Sequence, residues 1–248
     1  DFRLGVTYQD QAGIVPTSEL TRTSINLNTG YELLPTLSAR LSGFYISTGS
    51  RGRAVTGGNN PNVLLPLVYG LPRTFDTEEL RDYKDELGNQ RAIGSFSNNP
   101  YWVINENPFT NEVDRVFGSS TVEYSPLEWL SVTGRFGLDS YTEDRRNITS
   151  QGTIGRVDGA FSLDVIQERQ LNYDLLTEID RQLTPDFSLR TVIGANWNYR
   201  EREIQRNQAQ DLLVGGLYNF ANAQSNTPSN SYQERKLYGI FADATLGY

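Results

Sequence analysis

Six carboxylates crowd one short stretch: Asp76, Glu78, Glu79, Asp82, Asp85 and Glu86. Paired carboxylates can serve as general acid and base, and a cluster of them can hold a hard cation. Here they are interleaved with Arg81 and Lys84 and lack the spacing of a calcium loop. The run therefore reads first as a solvated helix face. Asp76-Thr77-Glu78-Glu79 fits a capping box and predicts a short helix over 79–87. The chain has no His and no Cys. That removes Ser-His-Asp, Cys-His and His-metal sites together with disulfides and thiolate chemistry. No phosphate-loop, dinucleotide-loop or nucleophile-elbow spacing occurs. A β-type hydrolase ranks last among the readings, and neither catalytic residues nor a cofactor nor a metal is expected.

A second set of candidates is aromatic. Tyr69, Phe75, Tyr83, Tyr101, Trp102 and Tyr218 lie outside the regular patterns described below. Such rings can stack on sugars or pack the loops that carry them. The composition limits the partners. Lys and Arg number 22 against 30 Asp and Glu, a net charge of −8. Nucleic acid, which needs clustered cations, is not an expected partner. Mean hydropathy is −0.50, and no apolar run approaches the roughly 18 residues of a transmembrane helix. A transmembrane β-barrel stays open, because it hides its apolar face in alternate residues. The chain contains no Met, which suggests a processed protein or an internal piece of a longer one.

The elements that would position these residues announce themselves by period two. Phe2, Leu4, Val6 and Tyr8 alternate with polar residues and glycine. So do Ile25, Leu27, Thr29, Tyr31 and Leu33, then Leu37, Ala39, Leu41, Gly43 and Tyr45. Downstream come Val116 to Tyr124, Leu130 to Leu138, Leu171 to Ile179, Phe187 to Tyr199 and Tyr238 to Tyr248. This is the pattern of strands with one apolar and one polar face. About eight strands of roughly 9–14 residues are predicted, a length that crosses a bilayer when tilted.

The connections alternate in length. Leu34-Pro35-Thr36, Ser125-Pro126-Leu127-Glu128 and Thr184-Pro185-Asp186 are tight, and proline pre-sets the turn and stops the ladder. The others are long: about 12 residues after Tyr8, 70 after Tyr45, 30 after Tyr141 and 38 after Tyr199, by the usual loop priors. Outer-membrane barrels combine short periplasmic turns with long external loops. Aromatics also gather at strand ends. Tyr31, Tyr124, Trp129, Phe187 and Tyr248 lie beside the tight turns, and Tyr45, Tyr141, Trp197 and Tyr199 lie at the far ends. These positions predict two aromatic belts at the lipid headgroups.

Several segments resemble one family. They are Asp10-Gln11-Ala12-Gly13-Ile14-Val15-Pro16, Asn98-Asn99-Pro100-Tyr101-Trp102 with Asn107-Pro108, Gly216-Leu217-Tyr218-Asn219-Phe220-Ala221-Asn222, and Leu237-Tyr238-Gly239-Ile240-Phe241-Ala242-Asp243-Ala244. In this order they are similar to SusC/RagA-type TonB-linked outer-membrane transporters of Bacteroidota. The resemblance runs over essentially the whole chain. It implies a large barrel with a plug and a TonB box, a SusD-like surface lipoprotein as partner, and import of oligosaccharides or peptides powered by the TonB complex. The chain is expected to be a single barrel segment, 1–248, without the plug and TonB box. The expected fold class is all-β: an antiparallel up-and-down transmembrane β-barrel segment with long extracellular loops, about eight strands of a barrel of about 22. The expected location is the outer membrane of a Gram-negative bacterium.

On this reading the polar strand faces line a wet lumen. Arg22, Arg40, Glu123, Arg135, Asp139 and Arg190 would meet water, plug or substrate, or form ion pairs along the wall. The candidate substrate contacts are Arg40, Arg135, Tyr101, Trp102 and Tyr218. The apolar faces meet lipid. Arg at Val132, Ile193 or Ala242 is expected to cost about 2–4 kcal/mol at midplane. Arg at Ser131 or Gly194, on the other face, should cost less. Two alternatives stand beside the transporter: a complete small eight-stranded outer-membrane barrel with a structural or adhesion role, and a soluble carbohydrate-binding sandwich.

Overall fold

The computed structural model describes residues 1–52, 70–71, 76–94 and 97–248. Eight strands form one antiparallel sheet in strict chain order: β1 (Phe2–Ala12), β2 (Glu19–Leu34), β3 (Leu37–Arg51), β4 (Phe109–Leu127), β5 (Leu130–Thr149), β6 (Ala160–Thr184), β7 (Phe187–Leu212) and β8 (Ala223–Gly247). The all-β, up-and-down expectation is met. β1 and β8 do not pair with each other. The sheet is therefore an open wall and not a closed eight-stranded barrel.

The register joins the predicted apolar faces edge to edge. Phe2 opposes Thr29, which opposes Leu41, then Ser120, Phe136, Tyr173, Trp197 and Tyr238. One row away, Leu4, Leu27, Gly43, Gly118, Leu138, Leu171 and Tyr199 are aligned in the same way. A slip of one residue in any pair would turn that strand's apolar set to the other face. No such slip occurs between the turns.

The strands are tilted. Leu37, which opens β3, lies on the row Leu37–Tyr124–Val132–Thr177–Ile193. Ile193 stands six residues beyond Phe187, which opens β7. Four interstrand steps of about 4.8 Å and six residues of about 3.3 Å give a tilt of about 45° if the tight turns share a plane. That is the tilt a barrel wall requires.

Three expectations need correction. The strands run from 11 to 26 residues, longer than predicted. Period two marks only the stretch with contrasting faces; beyond it, Gln205 to Gln210 and Asn226 to Gln233 remain in the ladder with polar residues on both sides. The long connections at 13–18, 150–159 and 213–222 shrink accordingly, while the predicted long loop after Tyr45 falls partly outside the described residues. The helix over 79–87 is absent. Only Glu79–Arg81 forms a 3-10 turn. The Asp85 carboxylate accepts from the Leu87 and Asn89 amides at 2.9 and 2.7 Å, and Gly88 takes φ +82°. This turn closes a Lys84–Gln90 bridge and stops the helix. A helix that the pattern did not suggest, α1 (Pro100–Glu106), lies in the same connection.

Candidate functional site: a two-faced wall and its loop cap

The outward face carries an uncharged band across the sheet. From Phe2 to Tyr8, Thr21 to Leu33, Leu37 to Gly49, Val116 to Tyr124, Leu130 to Thr142, Leu171 to Ile179, Phe187 to Tyr199 and Tyr238 to Tyr248, no outward position holds Asp, Glu, Lys or Arg. Large apolar side chains there have no protein cover; Ile240 is 86% exposed and Val6 68%. Outward charges stand at its long-loop edge, at Asp10, Asp114, Arg169, Glu201 and Lys236, and at its short-turn edge, where Arg181 faces Leu189 and lies over the Trp129 ring. Tyr31, Tyr124, Phe187 and Tyr248 mark the short-turn border, with Phe187 and Tyr248 in ring contact at 5.3 Å. At the other border Tyr45 donates to Asp114 at 2.8 Å. Tyr173 and Trp197 stack there at 4.8 Å. Tyr141 does not belong to this belt. It shares the inner face with Glu168, to which its hydroxyl donates at 3.1 Å.

The inner face carries the charges. Arg115 makes a two-pronged contact with Asp139, Arg145 pairs with Glu143 at 2.7 Å, and Arg206 with Asp164 at 3.0 Å. Glu168 is shared by Arg200, Arg202 and Tyr141. Arg190 pairs with Glu178 at 2.5 Å. Asp139 and Arg190 are thus wall ion pairs. Arg3, Arg22, Arg40, Arg135 and Arg235 make no ion pair among the described residues. Arg40, Thr121, Arg135 and Asp174 stand on one row. Asp174 faces Arg135 across the ladder, yet its two oxygens accept from Asn172 at 2.9 Å and Asn196 at 2.6 Å. The amides occupy the carboxylate and leave Arg135 to the lumen. Gly194 also belongs to this face, but a side chain there would collide with the Phe241 ring. Gly194→Arg is therefore no control for a wet lumen, whereas Ser131→Arg remains one.

At the long-loop end the chain builds a true protein interior. Asn99 caps α1 by accepting from the Tyr101 amide at 2.9 Å, and its own amide donates to the Leu80 and Arg91 carbonyls. Asn98 accepts from the Ile154 amide at 2.8 Å. Asn107 accepts from the Ser150 amide at 2.7 Å, and Asn222 ties Val214 to Leu217. A side-chain amide satisfies loop backbone groups that have no ladder to join. This explains why the recognised segments carry Asn-Asn-Pro, Asn-Pro and a closing Asn: they fold loops. Loop 213–222 covers Ile148, Phe161, Ala209 and Leu212 with Tyr218 and Phe220. Nearby, the Glu106 carboxylate beside Lys84 raises the lysine's pKa, and burial raises that of Tyr83.

The structure divides the sequence candidates. Arg40 and Arg135 share one inner row, two strands apart with Thr121 between them. Trp102 is 3% exposed, and its indole N–H donates to Thr153 Oγ1 at 2.9 Å. It has no open face for a ligand. Tyr101 is half-buried, with the Arg81 guanidinium 5.9 Å from its ring centre. The Tyr218 hydroxyl is 2.6 Å from Ser150 Oγ. Tyr83 donates to Glu106 at 3.2 Å; Tyr69 and Phe75 lie outside the described residues. The six-carboxylate stretch forms no metal-holding group among the described residues. Sequence reasoning missed Arg3, although the Phe2–Leu4 alternation already placed it on the polar face. It also missed the four structural asparagines, two of which, Asn99 and Asn107, were signalled by the proline that follows each.

No protein-family profile matches the sequence, and no curated protein does. Solved structures do. The RagAB peptide transporter superposes over 100% of this chain with a TM-score of 0.77 at 13% identity. The RagAB peptide importer in a closed-closed state gives 0.74 at 14% identity. The siderophore receptor PiuA of Acinetobacter baumannii gives 0.52 at 13% identity over 99% of the chain. The chain spans 28% of the RagAB chain and 36% of PiuA. These neighbours are a peptide transporter and a siderophore receptor. The eight-stranded wall has the fold of a partial TonB-dependent transporter barrel.

Proposed function

We propose that this chain forms part of the wall of a TonB-dependent active transporter that imports oligosaccharides or peptides. It works in the outer membrane of a Gram-negative bacterium of the Bacteroidota type. The observation that carries this reading is the two-faced wall. An uncharged outward band spans all eight strands, and the same strands turn free arginines inward. A soluble sandwich would bury that band; here it is uncovered. A complete eight-stranded barrel would pair β1 with β8.

In this role Arg40 and Arg135 contact substrate from the lumen wall. Tyr101 and Tyr218 stand in the loop cap, with Trp102 holding the cap's shape. The partners are a SusD-like lipoprotein at the cap, outer-membrane lipid around the band, and the TonB complex acting through the plug of the whole protein. The test is energised uptake. Cells expressing the full native protein should accumulate labelled oligosaccharide or peptide, and lose that ability when the TonB complex is deleted. Uptake that persists unchanged without the complex overturns the proposal. The native protein should also be several-fold heavier than 27.9 kDa; a species of that mass would restore the small-barrel reading.

A further inference from the structure

The lumen wall contains a hollow of about 530 Å³. Arg3, Asn28, Arg40, Ser42, Ser119 and Thr121 line it from the inner face of β1 to β4. Ser42 and Ser119 meet across the ladder, with their hydroxyls 3.1 Å apart. Gly30 faces Arg40 in the register and stands diagonally from Arg3, and the space above it is shared by the Asp1 carboxylate and the Arg40 stem. The hollow thus offers two guanidinium groups, three hydroxyls and an amide. Asp1 is the one carboxylate on its lining, and it makes no ion pair with either arginine. The inner-face neighbours of Arg3 and Arg40 on the flanking strands are Asn28, Gly30 and Thr121. The nearest inner carboxylates on those strands, Glu32 and Glu123, sit one inner position closer to the short turns.

A guanidinium without a carboxylate partner, set among hydroxyl and amide groups, is matched to an external carboxylate. The rest of the wall sharpens the choice. Neutral sugars are held largely by ring stacking, and the three Trp residues are engaged elsewhere. Trp102 is buried in the cap, Trp129 lies under Arg181 at a short turn, and Trp197 faces outward in the aromatic row. Tyr141, the tyrosine of the described inner wall, is held by Glu168; the inner rings of Phe44 and Phe117 stack on each other at 4.7 Å, and that of Phe241 lies over Gly194.

From this we infer that the Arg3–Arg40 hollow is a binding site for a carboxylate on the transported ligand, so that the transporter selects acidic ligands over neutral ones. The inference rests on the transport reading above and narrows its substrate class. Two ligands carry the required group: a peptide with acidic side chains and a glycan containing uronic acid.

The test is paired uptake by cells expressing the full native protein. One pair is a short Glu-containing peptide and its Gln isostere. The other is a uronic-acid oligosaccharide and its neutral counterpart. Wild type should favour the acidic member of one pair, and that pair identifies the ligand source. Arg3→Gln and Arg40→Gln should each reduce acidic uptake about fivefold, the upper range for a solvent-exposed pair. Neutral uptake should stay within about twofold, and Arg235→Gln, outside the hollow, should leave the preference intact. Surface protein is measured for every variant, which separates lost selectivity from lost folding. If both arginine variants slow acidic and neutral ligands equally, the hollow seats another part of the protein and the inference is overturned. Unchanged selectivity overturns it too. If wild type imports none of the four ligands while a control importer in the same cells works, the transport reading falls and takes this inference with it.

Discussion

The wall and the cap of this molecule are stabilised in opposite ways. Every buried hydrophobic residue described lies toward the long-loop end: Leu80, Trp102, Val103, Ile148, Phe161, Ile166, Ala209 and Leu212. The band between the aromatic belts has none. Its backbone groups are paired in the ladder except along the outer edges of β1 and β8, and its outward side chains wait for a solvent that is not water. The cap folds as a soluble domain does, around a tryptophan and a set of satisfied amides. One chain thus holds two folding problems, and only the cap solves its own without lipid.

The largest break in that contrast comes at Trp102. Trp102→Ala should cost the cap about 3–5 kcal/mol. Hydrogen exchange should quicken across 98–107 and 150–159 and stay slow in the band; quickening in both would show that cap and wall are one unit. Next comes the band itself. Ile193→Arg in the full barrel should cost about 2–4 kcal/mol in a lipid-folding titration, and Ser131→Arg under about 1 kcal/mol. Equal costs on the two faces would end the distinction between lipid and lumen. Asn99→Ala should cost about 1–3 kcal/mol, because it leaves the Leu80 and Arg91 carbonyls and the Tyr101 amide without their partner. Its effect should appear as proteolysis within 79–107 and not as loss of the folded barrel.

The smallest effect concerns pH. Hydrogen bonds from the Asn89 side chain and from the Asn89 and Leu87 amides hold the Asp85 carboxyl below the usual aspartate range. A lowered folded pKa means the bonus is present above the ordinary aspartate value. It is lost as pH falls through the folded one. Cleavage of the 82–91 loop by an acid-active protease should rise over that window. Asp85→Asn should flatten the rise; a rise of the same size in the variant would assign it to another group.

How much of this was legible in the sequence follows from what each part packs against. The band was readable residue by residue, because lipid and water each demand one face and the backbone alternates between them. Phe2 to Tyr8 and Phe187 to Tyr199 fell on the faces that period two gave them. Tyr141 escaped, since an aromatic at a strand end satisfies the belt pattern whichever face it occupies; only parity with Leu138 separates the two. The cap was not readable. Asp85 defeats the capping box at Asp76 through hydrogen bonds over four residues, and no periodicity reports that. Trp102 looked like a sugar platform because its partner, Thr153, lies 51 residues away. Arg40 and Arg135 were placed on the correct face, but the engagement of Asp174, opposite Arg135, by Asn172 and Asn196 is something no local pattern announces.

The tilt of the strands carries one more consequence. At about 45°, a row of inner side chains travels as far around the circumference as it rises along the axis. Arg40 stands three residues above its turn, Arg135 five and Asn196 nine, on a single row. A path that keeps to one row of inner side chains therefore turns as it climbs. The inner wall is threaded like a nut.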